Sequence, residues 1–161
     1  MATFTIARAG SSYPRTARSE VPVGAIFKGY SSGGLSPNSF INVGTLDDKQ
    51  YSIGVNNYSL YSTTNHEREV AIVGKVMYRR TFFDEAEYAD KLINDTTVGD
   101  IFLVKNKVND DKLPIAFGLL GHNDAGEYLA LDFNEPGKIV KFRPNQMTTV
   151  VGKFGIVGTE V

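Results

Sequence analysis

A short apolar and glycine pattern occurs twice in this chain, in the same order both times. The segment 23–27 reads VGAIF and returns as VGDIF at 98–102, an offset of 75 positions. The segment 73–75 reads VGK and returns as VGK at 151–153, an offset of 78. Matches that keep their order and drift by only a few residues are typical of two copies of one folded unit, because insertions fall in loops. We therefore predict a tandem duplication.

Two weaker matches lie between these strong ones. The segment 43–46 (VGTL) is matched with 117–120 (FGLL), and Tyr51 with Tyr128. Chance is the alternative, because apolar residues next to glycine are common in a chain with 16 glycines. The collinearity of all four matches favours duplication. The repeated apolar positions are then predicted to lie in cores: Val23, Ile26, Val73, Val98, Ile101 and Val151.

Most of the chain has the composition of β-strands. β-Branched and aromatic residues alternate with a period near two between glycine, serine, asparagine and aspartate. The predicted strands are 25–30, 39–43, 50–55 and 70–78 in the first copy and 100–104, 115–120, 127–131, 138–142 and 149–157 in the second. Hairpin turns are predicted at 47–49 and 122–126. The pattern predicts a mostly β protein, a tandem duplication of a small barrel- or sandwich-like β lobe.

One segment departs from the β pattern. Residues 84–94 are rich in helix-forming residues, Asp84 and Glu87 have the spacing of a helix cap, and apolar residues recur every three to four positions. We predict that residues 81–95 form one connecting helix. The predicted organisation is an N-terminal arm (1–20), a first β lobe (21–80), the connecting helix and a second β lobe (96–161).

Charge and tyrosine are unevenly distributed along the chain. Residues 1–80 contain nine basic and five acidic residues, whereas residues 81–161 contain eight and thirteen. Six of the eight tyrosines lie in the basic half. Tyrosine beside basic residues suits stacking on unpaired bases together with contacts to phosphates. The candidate nucleic-acid-binding residues are Arg8, Arg15, Arg18, Lys28, Tyr30, Tyr58, Tyr61, Tyr78, Arg79 and Arg80.

The same residues fit a second interpretation. Tyrosine is a common half-buried residue of small β domains, and a basic half also attracts an acidic protein surface. The chain is then a structural or interaction protein, such as a virion component or an inhibitor of a host protein, that uses its β lobes as docking surfaces.

Catalytic and metal-binding chemistry has little support in the sequence. There is no cysteine, and His66 and His122, the two histidines, belong to no metal-ligand spacing. No glycine-flanked serine of the nucleophile-elbow type occurs. We expect no enzyme, no catalytic residue, no metal and no cofactor. No apolar run approaches the roughly 20 residues of a membrane helix, so we expect no membrane association and a cytoplasmic location.

In overall make-up the chain resembles small phage-encoded proteins. A short cysteine-free chain with a glycine-, serine- and tyrosine-rich duplicated β pattern and an arginine-bearing N-terminal arm is similar to single-stranded-DNA-binding cofactors of phage transcription. The resemblance concerns the composition and repeat pattern of the whole chain, and it assigns no role to any individual residue. It implies binding of single-stranded DNA or RNA, a polymerase or other protein partner, the host cell cytoplasm as location and possible homo-oligomers.

Overall fold

Twelve β-strands and three short 3-10 helices make up the described part of the fold. The computed structural model describes residues 13–32 and 34–160. The strands are β1 (Thr16–Ala17), β2 (Ala25–Ser31), β3 (Gly34–Leu46), β4 (Lys49–Gly54), β5 (Leu60–Thr63), β6 (Glu69–Phe82), β7 (Ala89–Leu92), β8 (Asp100–Leu103), β9 (Phe117–His122), β10 (Tyr128–Asp132), β11 (Ile139–Phe142) and β12 (Met147–Glu160). The 3-10 helices are Arg18–Glu20, Glu85–Glu87 and Ile93–Asp95.

The chain divides into two compact units. The first comprises the described residues up to Tyr78 and those from Ile156 onward, and the second is Arg79–Gly155. In the first unit, the strand order is β1-β6-β2-β3-β4-β5. In the second unit, the strand order is β7-β12-β8-β9-β10-β11. All of these pairs are antiparallel. Each unit therefore has the same order of strands when each is numbered from its own first strand.

The strand registers of the two units also agree. Ile26 pairs with Gly74 and Phe27 with Ile72, so Val73 is an extra residue that forms a β-bulge. In the second unit Ile101 pairs with Gly152 and Phe102 with Val150, which leaves Val151 as the extra residue. We call two residues corresponding when they occupy the same place in the strand pairing of the two units.

A glycine immediately before β2 and another immediately before β8 adopt a backbone conformation with positive φ. Gly24 and Gly99 have φ of 86° and 97°, a region that other residues rarely adopt. The carbonyl oxygen of Gly24 accepts a 2.8 Å hydrogen bond from the amide of Val76, and that of Gly99 accepts one of 2.8 Å from Phe154. Val23 and Val98 precede these glycines in turns and are exposed, 43% and 50%, so the prediction that they lie in cores is wrong. The other four predicted core residues are buried: Ile26, Val73, Ile101 and Val151.

Each sheet curls until residues near opposite ends of the strand order share one core. In the first unit, Arg18 directly follows β1, and its guanidinium donates a hydrogen bond to the carbonyl oxygen of Tyr51 in β4. In the second, Ile93 follows β7 and belongs to the same buried cluster as Phe142 in β11. The mostly β, barrel-like character predicted from the sequence is therefore confirmed.

The connecting helix is not formed. Residues 81–95 contain the end of β6, two 3-10 helices and strand β7. Asp84 makes no capping hydrogen bond, and β7 instead pairs with β12. The hydroxyl of Thr148 donates to the carbonyl oxygen of Lys91 over 2.9 Å, adding a side-chain bond to this pairing. Strand pairing and the burial of Ile93 thus override a local helix propensity worth only tenths of a kcal/mol per residue.

The predicted strands are confirmed, and three further strands, β1, β5 and β7, are present in the part of the chain that the structure describes. Strand β5 lies in a segment without a predicted strand. The predicted turn at 47–49 is a tight hairpin between β3 and β4, where Asp47 and Asp48 have φ of 50° and 64°. Positive φ at two successive positions is the mark of the hairpin turn that follows the twist of the strands.

Candidate functional site

Arg15 and Tyr30 are brought together by the structure. The guanidinium carbon of Arg15 lies 4.0 Å from the centre of the Tyr30 ring, which is the geometry of a cation–π pair. Arg15 also forms an ion pair with Glu69 at 2.7 Å, and both side chains are more than half exposed. The stacked pair therefore lies at the surface of the first unit, where an aromatic face and a cation are adjacent.

Lys28 and Tyr30 are both anchored to nearby backbone. The Lys28 ammonium donates hydrogen bonds to the carbonyl oxygens of Ser36 and Pro37, at 3.3 and 3.1 Å. The Tyr30 hydroxyl donates to the carbonyl oxygen of Tyr13 at 3.3 Å. The hydroxyl end of Tyr30 is thus held in place, with the ring beneath the Arg15 guanidinium.

Tyr61 is the most exposed of the predicted aromatic residues. Its side chain is 43% exposed and packs edge to face on Phe40, with ring centres 5.4 Å apart. The hydroxyl of Tyr61 accepts a 2.9 Å hydrogen bond from the side-chain amide of Asn57. Tyr58 is half-buried with a φ of 55°, in the turn that precedes β5. Tyr61, rather than Tyr58, therefore offers a ring to a ligand.

The remaining predicted residues lie elsewhere. Tyr78 is the last residue before the second unit, and its hydroxyl is buried, which raises the pKa of Tyr78 to about 12. Arg79 and Arg80 are exposed residues of the second unit, where the Arg80 guanidinium lies 5.3 Å from the Phe133 ring centre. Arg8 lies outside the described residues.

The charge difference depends on where the chain is divided. With Arg79 and Arg80 assigned to the second unit, the sequence of residues 1–78 and 156–161 has seven basic and six acidic residues, and that of residues 79–155 has ten and twelve. The excess of basic residues assigned to the first half is thus mostly two arginines at its boundary. Local clusters, rather than net charge, must carry any attraction for an anion.

Arg18 lies in the core of the first unit. Only 3% of the residue is exposed, and its guanidinium lies 4.6 Å from the Phe27 ring centre. It donates hydrogen bonds to the side-chain oxygen of Asn42 (3.1 Å) and the carbonyl oxygen of Tyr51 (3.2 Å). Both acceptors are neutral, and among the described residues no carboxylate pairs with it. Burial lowers the pKa of Arg18 to about 10, because desolvation disfavours the charged form.

A cavity of about 190 Å³ lies beside Arg18 in the first unit. Its lining combines two guanidinium groups, three hydroxyl groups and three aromatic rings. The lining residues are Arg18, Phe27, Gly29, Phe40, Ser52, Tyr61, Ser62, Thr63, Arg68 and Val70. Arg18 and Tyr61 are the two sequence-predicted residues that meet here.

Sequence reasoning missed the rest of this cavity, and one signal was available. The weaker repeat match aligned residues 43–46 with residues 117–120, an offset of 74. The strand pairing gives a different alignment, in which Phe40 corresponds to Phe117 and Asn42 to Leu119, an offset of 77. With the correspondence that the strand pairing defines, several polar residues of the first unit fall opposite apolar residues of the second. That contrast is a sequence-level sign of a site.

Comparisons with known proteins match no family model, no curated protein and no solved structure. Among residues 13–32 and 34–160, no three histidine, cysteine, aspartate or glutamate side chains cluster as metal ligands would. No helix in this part of the chain has the length and apolar character needed to cross a membrane.

Proposed function

We propose that the first unit binds single-stranded nucleic acid. The observation that carries this proposal is the Arg15–Tyr30 pair, a ring stacked at 4.0 Å under a guanidinium at the surface. A nucleobase stacks on an aromatic or guanidinium plane while a cation meets the neighbouring phosphate, and the two contacts suit unpaired strands of any sequence.

Two further groups of the same unit support the proposal. Tyr61 presents a ring that is 43% exposed. Lys28 places its ammonium beside two carbonyl oxygens at the start of β3, where it adds a positive charge. Stacking on each ring is worth about 1–3 kcal/mol in proteins that bind single strands. A polymerase is the protein partner that the resemblance to phage transcription cofactors implies.

Fluorescence anisotropy with labelled single- and double-stranded DNA at about 50 and 200 mM salt tests the proposal. The single strand is expected to bind more tightly, and its affinity is expected to fall with salt as phosphate contacts release counterions. Tyr30→Leu is expected to weaken binding by about 1–3 kcal/mol at both salt concentrations.

Matched controls come from the second unit. Tyr88→Leu removes an exposed ring and Arg143→Gln an exposed arginine, and neither is expected to change the affinity. Arg15→Gln is expected to reduce the salt dependence. Absence of binding at the lower salt concentration, or equal losses for Tyr30→Leu and Tyr88→Leu, would contradict nucleic-acid binding by the first unit.

We also propose that the two units descend from one duplicated sequence. The shared strand order, the bulges at Val73 and Val151 and the positive φ of Gly24 and Gly99 support this. The test is superposition in an experimental structure of Cα atoms at roughly 21–78 on those at 96–157. A consistent strand-by-strand fit is expected, and different strand paths would end the idea.

The docking interpretation remains the second candidate, because several apolar side chains of the second unit are exposed. Phe82, Leu113 and Met147 are 53%, 59% and 54% exposed. If the DNA titrations give no binding, a protein partner for the β lobes becomes the better proposal.

A further inference from the structure

Four positions of the two cores differ in the same direction. Each is polar in the first unit and apolar in the second, at corresponding places in the strand pairing. The pairs are Arg18 and Ile93, Asn42 and Leu119, Ser52 and Ala130, and Thr63 and Phe142. The second unit closes its core with these apolar side chains, and the first places the cavity there.

Gly29 makes a fifth contrast. Counted along the strand from the paired residues Phe27 and Phe102, it corresponds to Val104, which is buried in the second core. A Cβ atom on Gly29 would lie 2.8 Å from the Nη2 atom of Arg68. The missing side chain is thus what admits the Arg68 guanidinium to the cavity wall, where valine fills the equivalent space of the second unit.

The two arginines leave positive charge at the cavity without a described counter-ion. Arg18 is buried against neutral acceptors only, and no described carboxylate pairs with Arg68. A buried charge that lacks an opposite charge costs several kcal/mol. A ligand with a negative charge would relieve that cost at Arg18 and would form an ion pair with the guanidinium of Arg68, which is exposed.

A buried polar atom of Gln50 lies beside two residues of the cavity lining, although Gln50 itself is not part of that lining. Gln50 is 5% exposed, and its side-chain oxygen has no hydrogen-bond partner among the residues that the structure describes. Alternation along β4 places Gln50 on the same face as Ser52, and it pairs across the sheet with Thr63. Both of those neighbours line the cavity.

We propose that this cavity binds a small organic anion, a single ring that carries a carboxylate or phosphate group. The anionic group would meet the guanidinium groups of Arg18 and Arg68 together with the hydroxyl groups of Ser52, Ser62 and Thr63. The ring would pack among Phe27, Phe40 and Tyr61. Guanidinium groups bind carboxylates and phosphates through paired, charge-assisted hydrogen bonds, which gives such a site its specificity.

The size of the cavity limits the ligand. A buried cavity of about 150 Å³ is known to hold benzene, so about 190 Å³ suits one ring with one charged substituent. The site shares Tyr61 with the proposed nucleic-acid surface but does not use the Arg15–Tyr30 pair, so substitutions of that pair separate nucleic-acid binding from small-anion binding.

Titration calorimetry with phenyl phosphate and benzoate, on the full chain, tests the proposal. Saturable binding and a higher Tm are expected with either anion, and benzyl alcohol is expected to bind at least about tenfold more weakly because it lacks the charge. Gly29→Val, which introduces the side chain of the corresponding residue in the second unit, is expected to weaken binding by at least about tenfold. Lys49→Gln removes an exposed charge in the β3–β4 hairpin and is expected to bind as the unsubstituted chain does.

Each outcome of these titrations either supports or overturns the proposed anion site. No binding of either anion, equal binding of benzyl alcohol, or unchanged binding by a folded Gly29→Val chain overturns the proposal. If Gly29→Val does not fold, Thr63→Phe fills the same cavity with the residue of the second unit and decides in its place. Loss of anion binding in that variant with a retained circular dichroism spectrum supports the proposal.

Discussion

The two units share a backbone plan and differ in what fills it. The second unit has three phenylalanine rings in mutual contact, Phe102, Phe117 and Phe142, with ring centres 5.2–5.8 Å apart. The first keeps the corresponding pair Phe27 and Phe40, also 5.8 Å apart, and has Thr63 in place of the third ring. The core of the second unit is thus filled with apolar side chains, whereas the first unit contains a cavity beside the buried Arg18.

This difference in side-chain packing affects the stability of the two units. Apolar closure maximises burial and stability, whereas buried polar groups cost stability unless they are paired. Arg18, Asn42 and Gln50 all lie at least 95% buried in the first unit. A chain that retains such groups at positions where its other half has apolar residues gives up stability there, which agrees with the anion site that we propose for this cavity.

The largest effect is expected when the arginine of the first unit is placed in the second. Ile93→Arg would put a charge among Phe102, Leu119 and Phe142, where no acceptor corresponds to Asn42. An uncompensated buried charge is expected to lower the free energy of unfolding by about 3–5 kcal/mol. Urea denaturation followed by circular dichroism measures it, and a loss below 1 kcal/mol would show that the second core is not closed as described.

The reverse exchange is expected to stabilise the first unit. Arg18→Ile combined with Asn42→Leu recreates the apolar pair of the second unit, and replacing buried charged and polar groups in this way is often neutral or stabilising by about 1–4 kcal/mol. Each single substitution is expected to be less favourable than the pair, because it leaves a polar partner unsatisfied. A double-mutant cycle measures the coupling, and additive effects would contradict the Arg18–Asn42 contact.

Glycines of the two units are expected to differ in their tolerance of alanine. A Cβ on Gly152 would meet backbone atoms of Thr81 and Phe82, which cannot move without disturbing the strand, so Gly152→Ala is expected to cost about 1–3 kcal/mol. At Gly29 the atom in the way is the end of the Arg68 side chain, so Gly29→Ala is expected to change stability by no more than about 0.5 kcal/mol. Thermal melts of both variants make the comparison, and equal losses would refute it.

Tyr78 offers a smaller, pH-dependent test of packing at the end of the first unit. Its pKa, raised from 10.0 to about 12 by burial, makes stability full below pH 10 and progressively lower as the pH rises toward 12. Arg18 has the opposite effect. Burial lowers its pKa to about 10, so its contribution to the free energy of unfolding increases as the pH rises above 10. The difference in the free energy of unfolding between the unsubstituted chain and Tyr78→Phe isolates the effect of the tyrosine hydroxyl. This difference is expected to shift by about 1 kcal/mol in favour of Tyr78→Phe between pH 9.5 and 11. A constant difference over this range would show that the hydroxyl is solvated.

Much of the fold followed from local patterns, and the cavity did not. Alternation and turn residues predicted nine strands, and the matches of Ile26 with Ile101 and Val73 with Val151 predicted residues that share one register. The helix prediction at 84–94 failed because β7 gains its stability from pairing with β12, a partner more than 50 residues away. The sequence predicts Arg18 as a nucleic-acid-binding residue of an N-terminal arm, since no local pattern shows that a 3-10 turn places it against Asn42 and Tyr51.

The last strand of each unit also sets the order in which the chain can fold. β1 pairs with β6 through Thr16 and Val70, and β7 pairs with β12 through Leu92 and Met147, so each pairing joins residues more than 50 positions apart. Contacts of such separation are slow to form, and a chain leaving the ribosome cannot make them until the closing strand has emerged. Arg18 and Arg68 lie near opposite ends of that span, so the cavity is assembled late. A bound anion would then act on folding itself, by holding the closing strand of the first unit in place once it has arrived.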